Sequence, residues 1–510
     1  MKMIGRRRGG RRSSSRASRW FAPKIAGKKK NPRARHPRRR RSPCLNIASS
    51  PSRRIYNPAA ITPPPPRHRR TYTDINMVSS TRRTTSSLSA TTAAAIAAAA
   101  ALMVSVAFAT AQYTPAAPAA GATPAAPAAG AAGATPSVPA GPLDIAQLGA
   151  KGDGTSDSTA FVMQAWKNAC NATGTQKIVI PPGNYLTGAL NLKGPCTSNI
   201  ILRLDGNLLG TGDLNAYKTN WIEVEHVDNF AINGHGIIDG QGPLVWTHNQ
   251  CNKNYNCKVL PNSLVIDFST NVTVRGITLK NSKFFHLNIF QSKNVVIDKV
   301  TITSPGDSPN TDGIHVGDST NITISSTTIA AGDDCISIGP GTKMVRVNGV
   351  RCGPGHGISV GSLGRYKDEK DVEDIMVTNC TIKGTTNGLR IKSYEDSKSQ
   401  LRATKFLYDG ITMDNVSYPI IIDQKYCPNN ICSTSGTSKV AVTDIVFKNI
   451  VGTSATPEAI TLNCANNLPC QGVQLHNVDL KYTGQGNTTL AVCKNVAGKS
   501  SNVAKELACV

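Results

Sequence analysis

The feature that most constrains the fold is a short phrase that recurs along the chain from about residue 195. Each copy alternates Val or Ile with polar residues; the copies read NVTVRGITL from Asn271, NVVIDKVTI from Asn294, NITISSTTI from Asn321, MVRVNGVRC from Met344, DIMVTNCTI from Asp374, DIVFKNIVG from Asp444 and VQLHNVDL from Val473. The first copies follow one another at 23, 27 and 23 residues. Alternation predicts half-buried strands, and a period of about 20 to 50 residues predicts a solenoid. Two or three strands and no helix per period favour a parallel β-helix over a leucine-rich repeat, whose Leu-x-x-Leu-x-Leu pattern is missing.

Residues 143–170 contain the one segment that reads as an amphipathic helix, starting near Asp157. Four apolar residues are expected to share its buried side: Ala160, Val162, Met163 and Trp166. Repeat proteins need an atypical unit to cover each open end. We therefore expect an all-β solenoid over residues 143–510, capped by a short N-terminal helix.

The net charge of +26 invites a nucleic-acid partner, but its distribution argues against one. Residues 1–112 hold 25 Lys and Arg against one acid, whereas residues 113–510 hold 32 basic and 30 acidic residues. The folded part is therefore almost neutral, and we expect no nucleic-acid partner. Residues 1–76, rich in Arg, Ser and Pro, are predicted to be disordered. A functional basic arm remains the alternative.

Residues 77–111 are predicted to be a secretory signal. The apolar run AAAIAAAAALMVSVAFA follows two arginines and precedes Ala109-Thr110-Ala111, which resembles a cleavage site. An uncleaved membrane anchor is the alternative, because the run approaches the length that spans a bilayer. A signal so far from residue 1 suggests that Met77 is the true start and that residues 1–76 are an extension of the gene model. Residues 112–142 are a Pro/Ala-rich linker, and we expect a secreted protein that is not held in a membrane after cleavage.

Acidic and basic residues between 310 and 392 follow the period of the coil. Asp312, Asp334 and His356 are 22 residues apart in turn, so they should form a row with neighbours about 4.8 Å apart. Further on, Arg390 and Lys392 stand two apart and share one side of a strand.

Carboxylates crowded in this way repel one another, so at least one pKa should rise. Two carboxylates that hold a water molecule opposite a third that protonates the leaving oxygen form the arrangement of an inverting glycosidase. Arg and Lys beside them would bind a carboxylate of the substrate, so an acidic sugar polymer fits the pattern. The alternatives are an ordinary turn or a calcium site at Gly332-Asp333-Asp334, a solvated face at Arg390 and Lys392, and a turn histidine at His356.

Four motifs carry a resemblance to a known family. NTDGIH, GDDCISIG, CGPGHGISVGSLG and RIKSYED resemble, in order, the signatures of polygalacturonases, glycoside hydrolase family 28, and the resemblance runs through residues 143–510. GRYKDEKDVEDI, NGLRIKSYEDSKS and YPIIIDQKYCPNNIC resemble the pollen-type exopolygalacturonases of plants. The resemblance implies a right-handed parallel β-helix that hydrolyses α-1,4-linked galacturonate of cell-wall pectin with inversion. It also implies exo attack, to which long loops suggested by the wider spacing after residue 380 would contribute by closing one end of the cleft.

The same resemblance assigns roles, motif by motif. Asp333 would be the general acid, Asp312 and Asp334 would activate the water, and His356 would tune the acid. Substrate contacts would come from Asn310, Arg390, Lys392 and Tyr426. Neighbours in a strand point to opposite faces, so Asp333 and Asp334 can share a cleft only if the chain bends at Gly332. We expect a monomer with no metal and no cofactor; endo attack, a pectate lyase and an inactive wall-binding β-helix are the alternatives.

Thirteen cysteines follow the signal without a CxxC pair, a usage that suits an oxidising compartment. Five pairs are near in sequence: Cys170–Cys196, Cys251–Cys257, Cys427–Cys432, Cys464–Cys470 and Cys493–Cys509. Cys335 and Cys352 flank the catalytic coil junction and are paired by the family resemblance, which leaves Cys380 as a free, buried thiol. Glycosylation is expected at some of the sequons at Asn171, Asn271, Asn321, Asn415 and Asn487. Asn379 is a poorer acceptor, because a mid-strand side chain can be covered.

Overall fold

The computed structural model describes residues 141–254, 256–430, 432, 436–486 and 488–510. Parallel strands stack coil upon coil into a right-handed parallel β-helix, as predicted. Each full coil has three strands, of which one belongs to an 11-stranded sheet and two to rows that together form a 22-stranded sheet. The predicted basic extension, the predicted signal segment and most of the linker lie outside the described residues.

The 11-stranded sheet presents Leu and Ile to the interior at matching positions, such as Leu287, Ile314 and Ile336, which are fully buried. In stacking order its strands are Leu190–Lys193, Ile222–Glu225, Leu264–Asp267, Leu287–Phe290, Ile314–Gly317, Ile336–Ile338, Ile358–Leu363, Asn387–Tyr394, Tyr418–Tyr426, Glu458–Asn463 and Leu490–Lys494. The side chains between these apolar positions face outward, and they include the predicted cations Arg390 and Lys392, which alternate with the buried Leu389 and Ile391.

The first row of the larger sheet contains the recurring phrase. Its strands are Leu143–Asp144, Gln176–Ile180, Ile200–Leu204, Phe230–Gly234, Thr270–Arg275, Lys293–Asp298, Thr320–Ser325, Lys343–Asn348, Val372–Thr378, Leu401–Val416, Val440–Ser454, Cys470–Tyr482 and Val496–Val503. The asparagine that opens the phrase has φ near +60° at Asn271, Asn294 and Asn321, a conformation that Asn tolerates better than most residues. The Nδ2 atoms of Asn294 and Asn321 donate to the Oδ1 atom of the preceding asparagine at 2.9 and 2.8 Å. These asparagines therefore both shape the turn and tie neighbouring coils together.

The second row has short strands, and it joins the first row through Leu401–Val416. Its members are Asp153–Asp157, Asn184–Thr187, Asn207–Gly210, Ile237–Asp239, Thr278–Lys280, Thr301–Thr303, Thr328–Ala330, Arg351–Cys352 and Thr381–Lys383.

The wider spacing after residue 380 has two sources. A whole coil, which contains Leu401–Val416, lies between the phrases at Asp374 and Asp444. The connections are also longer, as the spacing predicted: residues 427–439 separate Tyr418–Tyr426 from Val440–Ser454, whereas only residues 291 and 292 separate Leu287–Phe290 from Lys293–Asp298. The longest segment between strands is residues 240–263.

The helix Thr159–Asn171 covers the N-terminal end of the solenoid, as predicted. Its buried side is formed by Val162, Ala165, Trp166, Ala169 and Cys170. Ala160, predicted to be on this side, is exposed, and Met163 is only partly buried. The buried stripe follows the i, i+3, i+4, i+7 spacing from Val162, and Ala160 lies about 200° from Val162 around the helix. Trp166 Nε1 donates to the carbonyl of Lys193, in the first strand of the 11-stranded sheet, at 3.3 Å.

The C-terminal tail covers the other end. The amide of Ala491, in the last strand of the 11-stranded sheet, donates to the carbonyl of Glu506 at 3.1 Å. A disulfide joins Cys493 to Cys509, and Leu507 is buried. The tail therefore folds back over the strand that would otherwise be open.

Four short 3-10 helices complete the described elements: Leu214–Ala216, Gly242–Leu244, Trp246–His248 and Pro428–Asn430. No helix among the described residues combines the length and the apolar character that crossing a membrane requires.

The six expected disulfides are present, and Cys380 is free and buried. Burial raises the pKa of the Cys380 thiol to about 11. Asn379 is exposed with φ of +53° just beyond Val372–Thr378, so the expectation that it is covered within a strand was wrong. Of the other sequon asparagines, four are exposed and Asn487 lies outside the described residues.

Candidate active site

The outer face of the 11-stranded sheet carries a column of side chains in register with one another. In stacking order this column, called here the Arg390 column, consists of Glu223, Val265, Asn288, His315, Ser337, Ser359 and Arg390. The segments that lead into three of these strands bring Asp312, Asp334 and His356 to equivalent positions, because each precedes its register-matched isoleucine by two residues. The row predicted from the 22-residue period is therefore present.

Asp333 and Asp334 lie in a bend that precedes the strand Ile336–Ile338, which lets both side chains face the same site. The backbone N–H of Asp334 donates to Asp333 Oδ1 at 2.9 Å. A Cβ atom at Gly332 would lie 1.9 Å from the carbonyl oxygen of Ser308. The bend expected at Gly332 is thus present, and only glycine allows this close approach.

Asp333 is held from two sides. His356 Nδ1 lies 2.9 Å from its Oδ1 atom, and Asn310 Nδ2 donates to its Oδ2 atom at 3.2 Å. Burial raises the pKa of Asp333, but the hydrogen bond and charge of His356, with the cations of Lys392 and Arg390, outweigh burial and lower it overall. The same hydrogen bond raises the pKa of His356.

Asp334 forms a buried ion pair with Lys392. Lys392 Nζ lies 2.7 Å from Asp334 Oδ2, and the two side chains are 7% and 3% exposed. Ser359 Oγ donates to Asp334 Oδ1 at 2.7 Å, and Arg390 Nη2 lies 3.6 Å from the same oxygen. The ring of Tyr426 stands 5.7 Å from Arg390 Cζ and 5.4 Å from Lys392 Nζ, so the predicted tyrosine and both predicted cations meet here.

Asp312 is the acid whose pKa is raised by crowding. Burial is the largest cause, and the carboxylates of Asp333 and Asp334 add to it, so the pKa lies well above the usual value. Ser337 Oγ donates to its Oδ2 atom at 2.7 Å, which opposes this rise. Asp312 and Asp333 interact and titrate together, and because their pKa values move in opposite directions, a proton in the ligand-free site resides on Asp312 in preference to Asp333.

The site has ligand atoms for a cation and donors for an anion. Asp333, Asp334 and His356 place potential metal-ligating atoms within 4.8 Å of one another. Lys392 already occupies one of these oxygens, and its charge and that of Arg390 would repel a metal ion. Arg390 Nε is buried and has no hydrogen-bond partner among the described residues. Because a buried donor normally has a partner, the arrangement favours an incoming carboxylate over a metal ion.

Residues 240–263 form a wall beside Asn310, toward the N-terminal end of the stack. Val245 and Leu260 pack against Phe284, and a disulfide joins Cys251 to Cys257. Asn249 Nδ2 donates to Asn310 Oδ1 at 3.2 Å, which fixes the wall against the site. The segment is therefore held in place by its own small core and its disulfide.

Sequence reasoning missed His315, Ser337, Ser359 and Asn249. Ser337 and Ser359 follow Asp334 and His356 by three residues, so extending the register by one step would have placed them on the same outer face. His315 lies in the motif NTDGIH and follows Asp312 by the same three residues, and its partner in the next coil is Ser337. Asn249 gives no such signal, because residues 240–263 have no periodicity.

Comparisons with known proteins place the chain in a family. A family model described as glycosyl hydrolases family 28 matches residues 170–509. An exopolygalacturonase of Zea mays is 57% identical over 373 residues, covering 73% of this chain and 91% of that protein. An exopolygalacturonase of Platanus acerifolia is 43% identical, covering 69% and 93%.

Solved structures agree with this relationship. The endo-xylogalacturonan hydrolase from Aspergillus tubingensis superimposes with a TM-score of 0.59 at 25% identity, covering 71% of this chain and 96% of that one. The polygalacturonase from Erwinia carotovora superimposes with a TM-score of 0.54 at 26% identity, covering 68% and 94%. By its sequence and its fold, the chain belongs to glycosyl hydrolases family 28.

Proposed function

We propose that the chain hydrolyses the α-1,4-galacturonosyl linkages of polygalacturonate with inversion and releases galacturonate from one chain end. The observation that carries this proposal is the cluster of Asp312, Asp333 and Asp334 beside Arg390, whose buried Nε lacks a partner. The Zea mays relative named exopolygalacturonase, matched over 91% of its length, supports the same activity. The proposed enzyme acts as a secreted monomer on pectin of the cell wall.

The cations and Tyr426 would bind the sugar next to the scissile bond. Arg390 and Lys392 present a guanidinium and an ammonium at one edge of the acid cluster. Charge-assisted hydrogen bonds to a carboxylate are stronger than neutral ones. The ring of Tyr426 lies against both cations and offers an apolar surface to the sugar.

Substrate binding would also redistribute the proton of the acid cluster. Lys392 and Arg390 hold down the pKa of Asp333 in the free site. A substrate carboxylate that engages these cations would weaken their effect, so the pKa of Asp333 would rise and Asp312 could give up its proton. Asp333 would then be the protonated acid, and His356 would keep it in place.

In the proposed step, Asp312 and Asp334 hold a water molecule on the face of the sugar opposite Asp333. The water oxygen forms a bond to C1 and its proton passes to Asp312. The bond between C1 and the glycosidic oxygen breaks, and that oxygen takes the proton of Asp333. The products are a galacturonate of inverted anomeric configuration and a shortened polymer.

Exo attack is supported by the asymmetry of the outer face. Toward the N-terminal end, the Arg390 column continues with Asn288, Val265 and Glu223, and the carboxylate of Glu223 would repel a second galacturonate. Beyond Arg390 the column continues with the uncharged Ile421 and Thr461. The wall of residues 240–263 stands on that side, fixed to Asn310. The polymer would therefore extend in the opposite direction, past Arg390.

Digestion of polygalacturonate is expected to release monogalacturonate from the start, because in the proposed exo mode the wall of residues 240–263 limits how far the substrate extends on that side of the scissile bond. The products would be sized by chromatography, and NMR at early times would show the β anomer first. A ladder of oligomers with rapid loss of viscosity would show endo cleavage. Absorbance of the products near 235 nm would show a lyase, and a folded protein that binds without releasing products would show a wall-binding protein.

Arg390→Gln is expected to raise KM for polygalacturonate by about tenfold, in line with the loss of a charge-assisted hydrogen bond. Added salt should raise the KM of the unmodified enzyme more than that of the variant. Salt screens the attraction between Arg390 and the substrate carboxylate, which the variant no longer has. The matched control is Arg346→Gln, which removes a guanidinium paired with Asp374 on the 22-stranded sheet. Equal KM values for Arg390→Gln and the unmodified enzyme would contradict carboxylate binding by Arg390.

A further inference from the structure

We propose that His315 and Ser337 are positioning residues that hold Asp312 ready to accept the proton of the attacking water. This inference rests on the proposed function, since it concerns the base of that reaction. His315 Nδ1 lies 2.8 Å from Ser337 Oγ, and Ser337 Oγ lies 2.7 Å from Asp312 Oδ2. The three groups form a continuous hydrogen-bonded chain across two neighbouring coils, with His315 and Ser337 directly in register.

The chain has a fixed direction. An ionised carboxylate only accepts hydrogen bonds, so Ser337 must donate its one proton to it. Ser337 then accepts from His315, which fixes the imidazole proton on Nδ1. When Asp312 takes the proton of the water on Oδ1, its Oδ2 atom becomes a carbonyl oxygen that still accepts from Ser337. The pair can therefore accommodate both states of the base without moving a heavy atom or a second proton.

The surroundings of His315 suit this role. The ring of Phe285 stacks on the imidazole at 5.1 Å, and a Cβ atom at Gly339 would lie 3.5 Å from the imidazole ring. Burial lowers the pKa of His315 to about 4, so the ring is neutral over the range above that value. A neutral imidazole with its proton on Nδ1 donates to Ser337 without adding a charge beside the acids.

The ionised form of Asp312 depends on its serine, Ser337, more than the ionised form of Asp334 depends on Ser359. Asp334 is held by Ser359 and by the ammonium of Lys392. Asp312 faces the charges of Asp333 and Asp334, which oppose its ionisation, while Lys392 and Ser337 favour it.

The remaining titratable groups near Asp312 act through its backbone or on its neighbours. The one atom of Asp312 that the His286 ring contacts is its backbone carbonyl oxygen. His356 contacts Asp333, and Arg390 contacts Asp334. Once a substrate carboxylate engages Lys392, the hydroxyl of Ser337 is the remaining donor that favours the ionised form of Asp312.

The test is the pH dependence of kcat on polygalacturonate for Ser337→Ala. Losing the hydrogen bond raises the pKa of Asp312, so the acidic limb of the profile should move up by about one pH unit. At the pH optimum kcat should fall about tenfold, while KM changes less than twofold because Ser337 does not contact the substrate carboxylate site. Ser337→Thr keeps the hydroxyl and should restore the limb.

His315 is tested with two variants. His315→Ala removes the donor to Ser337 and should move the acidic limb in the same direction as Ser337→Ala. His315→Asn places an amide N–H near the position of Nδ1 and should recover most of the wild-type profile. If Ser337→Ala does not fold, this pair decides the matter by the same measurement.

The chain offers a matched control in a second His–Ser pair on the 22-stranded sheet. His476 Nδ1 lies 2.8 Å from Ser501 Oγ, the same distance as in the proposed pair. Ser501→Ala should leave kcat, KM and the pH profile unchanged. A folded Ser337→Ala enzyme with the wild-type acidic limb, or with kcat lowered equally at every pH, would overturn the inference. A wild-type enzyme that releases no galacturonate at any pH would instead overturn the proposed function.

Discussion

Asp333→Asn is expected to lower kcat on polygalacturonate at least ~10²-fold, the lower scale for loss of a general acid. The amide keeps the size of the side chain and can still contact His356 and Asn310, so the fold should survive. It cannot give a proton to the leaving oxygen, so the loss should appear in kcat. Initial rates of galacturonate release, together with the melting temperature, measure both effects.

The matched control for this substitution is Asp298→Asn. Asp298 accepts a hydrogen bond from Ser325 and pairs with Arg275 on the 22-stranded sheet, outside the candidate site. Its replacement should leave kcat unchanged. Near wild-type hydrolysis by a folded Asp333→Asn enzyme would remove Asp333 as the acid, and comparison with Asp312→Asn would then show whether the proton stays on Asp312.

Lys392→Met is expected to lower the free energy of unfolding by roughly 3 to 5 kcal/mol, as when one partner of a buried ion pair is removed. Asp334 is 3% exposed and would lose the ammonium that now lies 2.7 Å from its Oδ2 atom. The same variant should bind polygalacturonate more weakly, because it loses one of the two cations. Denaturant unfolding in the absence of substrate separates the stability effect from the binding effect.

Two further variants define this result. Lys392→Met combined with Asp334→Asn removes the uncompensated charge, so it should regain part of the lost stability. Lys370→Met breaks an exposed pair with Asp318, in which the lysine is 71% exposed, and should cost at most about 1 kcal/mol. If Lys392→Met lowers the free energy of unfolding no more than Lys370→Met does, the buried pair of Lys392 and Asp334 does not stabilise the fold as its burial implies.

The row of candidate site residues was predictable because the fold is periodic. Once strands stack at a constant interval, residues one period apart must be neighbours, so Asp312, Asp334 and His356 followed from counting. The bend at Gly332 followed from the need to turn two consecutive acids toward one site. Arg390 and Lys392 followed from the alternation of a strand. Each inference used local geometry that the stacking of coils preserves.

The parts that were missed depend on contacts that break the period. Residues 240–263 are held by a small core around Phe284, and the residues of that core do not follow the period of the coils. Ala160 is exposed because it lies two residues, or about 200°, from Val162 around the helix, and the buried stripe is centred on Val162, Ala165 and Trp166. The wider spacing after residue 380 contains the coil of Leu401–Val416, whose copy of the phrase has Lys405 at the positive-φ position and was therefore not recognised.

Crowding of the acids was predictable, but the identity of the one that holds the proton was not. The spacing predicts that the three acids lie close together, but it does not tell which of them has the highest pKa. The difference comes from partners in other coils: His356 and the cations act on Asp333, while deep burial acts on Asp312. These partners are 20 to 60 residues away in sequence, so their effect becomes visible only when the coils are stacked.

The covered ends of the solenoid bear on how the protein behaves in concentrated solution. An open parallel strand is a template onto which the strand of another molecule can add, and such growth leads to fibres. Here Trp166 Nε1 of the helix donates a hydrogen bond to the carbonyl of Lys193 at one end. At the other end the carbonyl of Glu506 accepts a hydrogen bond from the amide of Ala491. Both positions belong to the same 11-stranded sheet, so end-to-end polymerisation through this sheet is blocked at both of its terminal strands. A chain shortened beyond Cys493 would lose that protection while retaining the whole row of candidate site residues.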